Sequence, residues 1–207
     1  LRLKARENTQ KSYVINFDDP KLNDPLRTVI FVKPDDSKKP KDDEHESLSC
    51  YYFAAMSAGE KIFDLKTLQK HAGKVEAMSL SSIYQKMNNE WFTSCRLQAE
   101  TYFNNNEFRP FRVRVGHKFH QRSKSVFVKN LYGAYQRLKN RVVPKPDKWN
   151  PADMWVVANE LVNTDFDQFL TLKGLNQFLV KNLLNKKLVG ISLKKLETTH
   201  ISAGFHL

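Results

Sequence analysis

The chain has 207 residues, of which 41% are hydrophobic and 12% aromatic, and this composition argues against an intrinsically disordered protein. No apolar run approaches the roughly 20 residues that a membrane-spanning helix needs, so no membrane partner is expected. A formal net charge of +12 indicates a polyanionic partner instead. Two cysteines, Cys50 and Cys95, form neither a disulfide framework nor a zinc cluster, which favours an intracellular protein with both thiols half-buried in helices.

The first 45 residues are predicted to form two strands followed by a flexible loop. Residues 12–17 and 27–33 are rich in β-branched and aromatic side chains, and turn-forming residues separate them. Residues 34–44 combine prolines with charges and have no apolar anchor, which predicts a loop. The remaining residues, 46–207, are expected to form the main domain.

Several helices are predicted in that main domain. Residues 47–56 are apolar nearly all round and precede Gly59, which is typical of a buried helix with a glycine stop. Periodic apolar residues also predict helices at 65–71, 81–103, 125–141 and 166–184. The last of these segments is long enough for one helix or two.

Most of the excess positive charge lies in one segment, from Arg109 to Lys148. It contains twelve Lys or Arg residues and a single acid, Asp147. Within it, residues 111–115 alternate apolar and basic side chains, which predicts a half-buried strand with arginines on its open face. A block of one sign is typical of nucleic-acid contact, and the alternative is a solvated surface that keeps the protein soluble. The candidate DNA-binding residues are Arg109, Arg112, Arg114, Lys118, Arg122, Lys124, Lys129, Arg137, Lys139 and Arg141.

The sequence lacks the motifs of several other kinds of site. Only seven glycines occur and none forms a phosphate-binding loop, which argues against a P-loop or Rossmann nucleotide site. No Gly-x-Ser-x-Gly segment is present, which argues against an α/β-hydrolase. His117 and His120 have no carboxylate or cysteine nearby in the sequence, so phosphate contact or surface exposure is expected before metal binding.

Two segments carry the candidate catalytic residues. Residues 150–157 predict a strand with Asp153 directly after a proline-containing turn, and residues 189–196 predict an adjacent strand with lysines inside an apolar run. The period of two in a strand places Ser192 and Lys194 on one face. Phosphodiester hydrolysis needs a divalent metal held by hard oxygen ligands and a cation near the scissile phosphate. Asp153 can supply a carboxylate and Lys194 the positive charge.

Pro151, Asp153 and the later segment Ile191-Ser192-Leu193-Lys194 resemble the signature of the PD-(D/E)XK nuclease superfamily. The resemblance implies a restriction-endonuclease-like core, which is an α/β or α+β fold with a mixed central sheet flanked by helices. It also implies an endodeoxyribonuclease that depends on Mg²⁺ or Mn²⁺. By position, Asp153 matches the metal-binding acid, Ser192 the variable acid position and Lys194 the catalytic lysine.

One acid of the superfamily pattern is absent, because Ser192 stands in its place. The superfamily often adds an acid from a preceding helix, and Glu46 is the best candidate for this second metal ligand, with Glu90 and Glu100 behind it. Residues 148–155 also resemble uncharacterised bacteriophage proteins that are associated with virions. Two hypotheses follow, and both place the protein in the host cytoplasm or in the virion. One is a DNA nuclease of phage origin, and the other is an inactive virion or head-associated protein that contacts DNA or neighbouring virion proteins.

Each candidate residue also has an interpretation that involves no catalysis. Asp153 could be a turn residue or the cap of a helix. Lys194 and Lys195 could protect an edge strand from aggregation. Glu46 could be a helix-start acid that the helix dipole favours. The position of each side chain in the fold distinguishes between these interpretations.

Overall fold

A computed structural model describes three stretches of the chain with their side chains, 41–104, 116–139 and 149–193, and the backbone of three strands within 2–31. The chain divides into two compact units, Leu1–Lys39 and Pro40–Leu207. This division lies slightly before the predicted boundary after residue 45, because the first helix of the second unit begins at Asp42. The predicted strand 111–115 and most of the predicted loop 34–44 lie outside the described residues.

The N-terminal unit contains a three-stranded antiparallel sheet. Its strands are β1, Arg2–Glu7; β2, Ser12–Asp18; and β3, Leu26–Phe31, in the order β1-β2-β3. The register pairs Ala5 with Ile15 and Ile15 with Thr28. The two predicted strands are confirmed as β2 and β3. Strand β1 is not predicted, since its basic residues and alanine are not the β-branched and aromatic types that favour strands.

The second unit is built around a mixed four-stranded sheet. Its strands are β4, Val75–Glu76; β5, His117–Gln121; β6, Met154–Ala158; and β7, Leu188–Ile191, in the order β4-β5-β6-β7. Strand β4 runs parallel to β5, and the pairs β5–β6 and β6–β7 are antiparallel. The two segments with the candidate catalytic residues therefore belong to neighbouring strands, as predicted.

Four helices share a hydrophobic core with one face of this sheet. They are α1, Asp42–Ser57; α2, Leu65–Lys70; α3, Leu80–Tyr84; and α4, Asn89–Asn104. Helix α1 contacts both α4 and β5, which explains why its apolar residues surround the helix axis. Phe53 of α1 packs against Phe119 of β5 in this core. Cys50 and Cys95 are fully buried here as free thiols, and not half-buried as expected.

The opposite face of the sheet is covered by α5, Val126–Leu138, and α6, Leu172–Leu184. Side chains alternate along β6, so Met154 and Val156 join the first core while Trp155 and Val157 join a second core with α5 and α6. The second unit is thus a mixed α/β layer structure with helices on both faces, as the sequence resemblance implies at this coarse level. None of the helices in the described parts has the length and apolar character to cross a membrane.

Two helix predictions need correction. Helix α1 starts at Asp42, so residues 42–44 of the predicted loop are helical, because three acids in its first turn suit the positive end of the helix dipole. The predicted helix 81–103 is two helices, α3 and α4. The side-chain oxygen of Asn88 accepts the backbone N–H of Trp91 at 3.1 Å and so starts α4 as a separate element.

A candidate acidic site at one end of the sheet

Asp153 lies just before β6 and joins that strand to the end of β7. Its backbone N–H donates to the carbonyl of Ile191 at 2.9 Å. Its carboxylate Oδ2 accepts the backbone N–H of Leu193 at 2.6 Å and the hydroxyl of Ser192 at 3.2 Å. Because a strand and not a helix follows Asp153, the helix-cap interpretation is wrong. The hydrogen bonds orient the carboxylate towards the segment that leads to Lys194.

Glu46 lies in the second turn of α1 and points towards the end of β5. Its carboxylate accepts a hydrogen bond of 2.5 Å from the amide nitrogen of Gln121. The pKa of Glu46 is raised to about 7, mainly by burial and also by the negative charges of Asp153, Asp43 and Asp42, while the Gln121 hydrogen bond opposes the shift. Asp153 is therefore one of the negative charges that act on the Glu46 carboxyl. Burial outweighs any lowering of this pKa by the helix dipole, so the helix-start interpretation of Glu46 stays open.

Gln121, the last residue of β5, is a central residue of the site that sequence reasoning did not identify. Its amide oxygen accepts the backbone N–H of Lys124 at 2.8 Å and the hydroxyl of Ser123 at 3.1 Å. Its amide nitrogen reaches Glu46, so one buried side chain holds both the following turn and the acid. A glutamine beside two turn residues gives no sequence signal of such a role, because its partner lies far away in the chain.

The acids at this end of the sheet are compatible with one divalent cation. Among the described residues, no three His, Cys, Asp or Glu side chains form a ready-made metal-binding group. Mg²⁺, however, keeps several waters and is commonly bound through only one or two carboxylates. A cation bound beside Glu46 would favour its charged form, which burial and the charge of Asp153 disfavour. The roles of Glu46 and Asp153 as ligands of Mg²⁺ or Mn²⁺ stay a prediction.

Ser192 is brought to the site, whereas Lys194 lies outside the described residues. The Ser192 hydroxyl donates to the Asp153 carboxylate and is exposed. Strand β7 ends at Ile191 and occupies one end of the described sheet. An end strand is where lysines can protect against edge-to-edge pairing, so this interpretation of Lys194 and Lys195 stays open beside the catalytic one.

Glu90 and Glu100, the other two acids considered as metal ligands, both belong to α4. Glu100 pairs with Arg96 one helical turn earlier, at 3.4 Å. Glu90 lies in the exposed first turn of the helix. Neither is among the charges that raise the pKa of Glu46. Of these three helix acids, Glu46 is the one whose raised pKa includes a contribution from Asp153.

The predicted DNA-binding residues fall into two groups. Arg109, Arg112, Arg114 and Arg141 lie outside the described residues. Among the others, Arg137 pairs with Asp167 and donates to the carbonyl of Phe166 at 3.0 Å, and Lys124 pairs with Asp43 at 3.4 Å. Lys129 is exposed, and Lys118 and Lys139 are half-exposed. Arg122 lies over the ring of Tyr132. The contact of these residues with DNA stays a prediction.

His117 and His120 are buried, so the expected surface exposure is wrong. The Nδ1 of His120 lies 2.9 Å from the Glu76 carboxylate and 2.8 Å from the Ser125 hydroxyl, where it helps to join β4, β5 and the start of α5. Its Nε2 is buried and has no hydrogen-bond partner among the described residues. Burial lowers the pKa of His120, although Glu76 opposes this shift. The Nε2 of His117 lies 3.3 Å from the Lys186 carbonyl, so both histidines have partners within the fold.

Comparison with protein-family models, with curated proteins and with solved structures found no match to this chain.

Proposed function

We propose that the chain is a metal-dependent endodeoxyribonuclease with a restriction-endonuclease-like core of the PD-(D/E)XK type. The observation that carries the proposal is that Asp153, directly before β6, hydrogen-bonds Ser192 at one end of a mixed sheet, while its negative charge also acts on Glu46 of α1. Leu193, which directly precedes Lys194 in the sequence, also donates its backbone N–H to the Asp153 carboxylate. The contact between Ser192 and Asp153, two positions on which the sequence resemblance depends, supports the proposal.

Each residue of the proposed site has a defined role. Glu46 and Asp153 hold Mg²⁺ or Mn²⁺, which, when bound, acts as a Lewis acid on a phosphate oxygen. Gln121 fixes the orientation of Glu46, and the Leu193 N–H and Ser192 hydroxyl fix that of Asp153. Lys194 offsets the negative charge that develops on the phosphate in the transition state.

The proposed substrate, DNA, is inferred from the positive charge of one segment of the chain. The segment from Arg109 to Lys148 holds twelve Lys or Arg and one acid, and it includes the turn and helix α5 that follow β5. In the proposed function these positive charges attract the phosphate backbone of DNA. We place the protein in a bacteriophage context, as a protein of the host cytoplasm or the virion.

A second candidate function is an inactive DNA-contacting protein of the virion or phage head. Two observations favour it. Ser192 occupies the place of a second acid and uses its hydroxyl to hold Asp153, which gives that carboxylate a structural role. The described residues also contain no metal-binding group of three side chains. A shared fold does not require a shared activity.

The test is cleavage of supercoiled and linear DNA with Mg²⁺ or Mn²⁺ by the wild type, Asp153→Asn, Glu46→Gln and Lys194→Ala. The amide variants keep the side-chain shape and an oxygen that can accept the existing hydrogen bonds. Glu160→Gln is the matched control, since Glu160 is an exposed acid paired with Lys187 at 2.5 Å. We expect cleavage by the wild type and the control, and a loss of at least about a hundredfold in each site variant.

Two other outcomes redirect the conclusion. Cleavage that survives in both Asp153→Asn and Glu46→Gln places the active site elsewhere. If no protein cleaves but all bind DNA with steep salt dependence, the inactive DNA-contacting function replaces the nuclease. Calorimetric titration with Mg²⁺ and Mn²⁺ separates metal binding from cleavage, because only the acid variants should lose the binding signal.

A further inference from the structure

Arg122 lies directly beside Asp153 across the end of the sheet. In the antiparallel register Gln121 is opposite Met154, so Arg122 is opposite Asp153. The backbone N–H of Arg122 donates to the Asp153 carbonyl at 3.0 Å, which continues the ladder one step beyond the strand. Residues directly opposite each other in an antiparallel pair project to the same face. The side chains of Arg122 and Asp153 therefore start from the same side of the sheet.

The guanidinium of Arg122 is held at a defined place on that side. Its central carbon lies 5.1 Å from the centre of the Tyr132 ring, which is within range of a cation–π interaction. The Tyr132 hydroxyl donates to the carbonyl of Asn150 at 2.8 Å, and the edge of the ring meets Trp149. These contacts fix the ring, and the ring in turn restricts the arginine.

Asp153, Arg122 and Tyr132 share one electrostatic environment. Burial raises the pKa of Tyr132, the positive charge of Arg122 lowers it, and the negative charge of Asp153 raises it. The charges of Arg122 and Asp153 thus both act on the hydroxyl group of Tyr132.

Resting on the proposed function, we propose that Arg122, held over the ring of Tyr132, binds the phosphate of a DNA strand beside the Asp153 carboxylate. A guanidinium that stacks on an aromatic face keeps its N–H groups at the edge, in the geometry that binds phosphate with two hydrogen bonds. Prior restriction by Tyr132 reduces the side-chain entropy that is lost on binding. Arg122 is then a substrate-binding residue of the site, and Tyr132 is its positioning residue.

The inference is tested by fluorescence anisotropy with a labelled DNA duplex in EDTA, at several salt concentrations. We expect Arg122→Gln to weaken binding by about tenfold or more and to reduce the slope of log affinity against log salt by about 1. Arg122→Lys, which keeps the charge, should restore the slope and only part of the affinity. Tyr132→Leu should weaken binding about two- to fivefold at unchanged slope, and Tyr132→Phe should match the wild type.

Lys66→Gln is the matched control, since Lys66 is exposed on α2 and belongs to no candidate surface. If Arg122→Gln binds DNA with the affinity and salt slope of this control, the inference is overturned. Circular dichroism of each variant monitors folding. Because Arg122→Lys is conservative, the inference stays testable through its partial loss of affinity if the other variants do not fold.

Cleavage with Mg²⁺ is measured in parallel, so that failure of the inference and failure of the proposed function are distinguishable. If Arg122→Gln cleaves and binds DNA at wild-type levels, the proposed nuclease function is retained and the phosphate contact of Arg122 is excluded. An inactive wild type whose salt-dependent binding is lost in Arg122→Gln excludes the nuclease and supports the phosphate contact. A wild type that does not bind DNA overturns both.

Discussion

The side-chain amide of Gln121 donates a hydrogen bond of 2.5 Å to the Glu46 carboxylate and thereby ties the end of β5 to the second turn of α1. The same side chain accepts the backbone N–H of Lys124 at 2.8 Å. One buried amide thus connects a helix, a strand and the turn that follows it. In the proposed nuclease this connection holds a metal ligand at the place where the basic segment reaches the sheet.

Gln121→Ala is predicted to raise the pKa of Glu46 above its present value of about 7, because the hydrogen bond that favours the charged carboxylate is lost. It also leaves the Lys124 N–H without its acceptor, so the free energy of unfolding should fall by about 1–3 kcal/mol. Carbon-13 NMR titration of the Glu46 carboxyl and urea denaturation measure the two effects. Gln136→Ala, at an exposed position of α5, should change neither. An unaltered Glu46 pKa in Gln121→Ala would contradict the role given to the amide.

Local sequence pattern predicts the strands and helices that bury one continuous face. Strand β6 and helix α5 follow directly from apolar spacing, and Ser125 marks the start of α5 by accepting the Val128 N–H at 3.2 Å. Local sequence pattern does not predict which polar residues are buried. His120 has no sequence signal of burial, because the Glu76 and Ser125 groups that satisfy its Nδ1 come from other parts of the chain.

The candidate site is predictable to a similar extent. The resemblance to a nuclease motif selects Asp153 and Ser192, which the fold brings into contact, and it suggests Glu46 as a third member. Gln121 and the position of Arg122 depend on the register of β5 against β6, which is a long-range pairing. A single sequence shows the spacing within one strand but not the register between distant strands.

Glu46→Gln is predicted to stabilise the protein at alkaline pH. The folded-state pKa of Glu46, about 7, lies above its ordinary value of 4.5. The folded state therefore holds the proton that the unfolded state releases. This contribution to stability is complete below pH 4.5 and is lost as the pH rises through about 7. After allowance for solvent screening, the variant should be more stable than the wild type by about 1–2 kcal/mol at pH 8.

Urea denaturation of both proteins from pH 4 to pH 9 measures this difference. Glu160→Gln is again the control, because its carboxylate is exposed and paired with Lys187. Addition of Mg²⁺ at pH 8 should stabilise the wild type and not Glu46→Gln. A stability difference that does not vary with pH would be inconsistent with a protonated Glu46 in the folded state.

His120→Gln is predicted to make the protein less sensitive to mild acid. Burial holds the folded-state pKa of His120 below its ordinary value of 6.5, so below that pH the unfolded state binds a proton that the folded state does not. Wild-type stability should therefore decrease as the pH falls below 6.5, and this part of the decrease should be absent in the variant. Urea denaturation between pH 5 and pH 8 measures it. His71→Gln is the control, because His71 pairs with Glu60 and should leave the His120 contribution in place. Equal pH profiles for wild type and His120→Gln would exclude this contribution.

Gly190→Ala is predicted to disturb the pairing of β6 with β7 and, through it, the position of Asp153. A Cβ at residue 190 would lie 2.7 Å from the Cβ of Ala152 and 3.4 Å from the Trp155 ring. Such overlap forces the strands apart, so the free energy of unfolding should fall by about 1–3 kcal/mol. Urea denaturation gives the loss, and NMR chemical shifts of Asp153 report the displacement.

Gly133→Ala is the matched comparison, because a Cβ at that position of α5 meets nothing within 4 Å. Alanine has the higher helix propensity, so this variant should gain up to about 1 kcal/mol. The two substitutions add the same methyl group, and only the space around it differs. Equal stability of Gly190→Ala and the wild type would mean that β7 can shift without strain. The contact of Ser192 with Asp153 would then be too loosely held to position a metal ligand, and the proposed site would lose its support from β7.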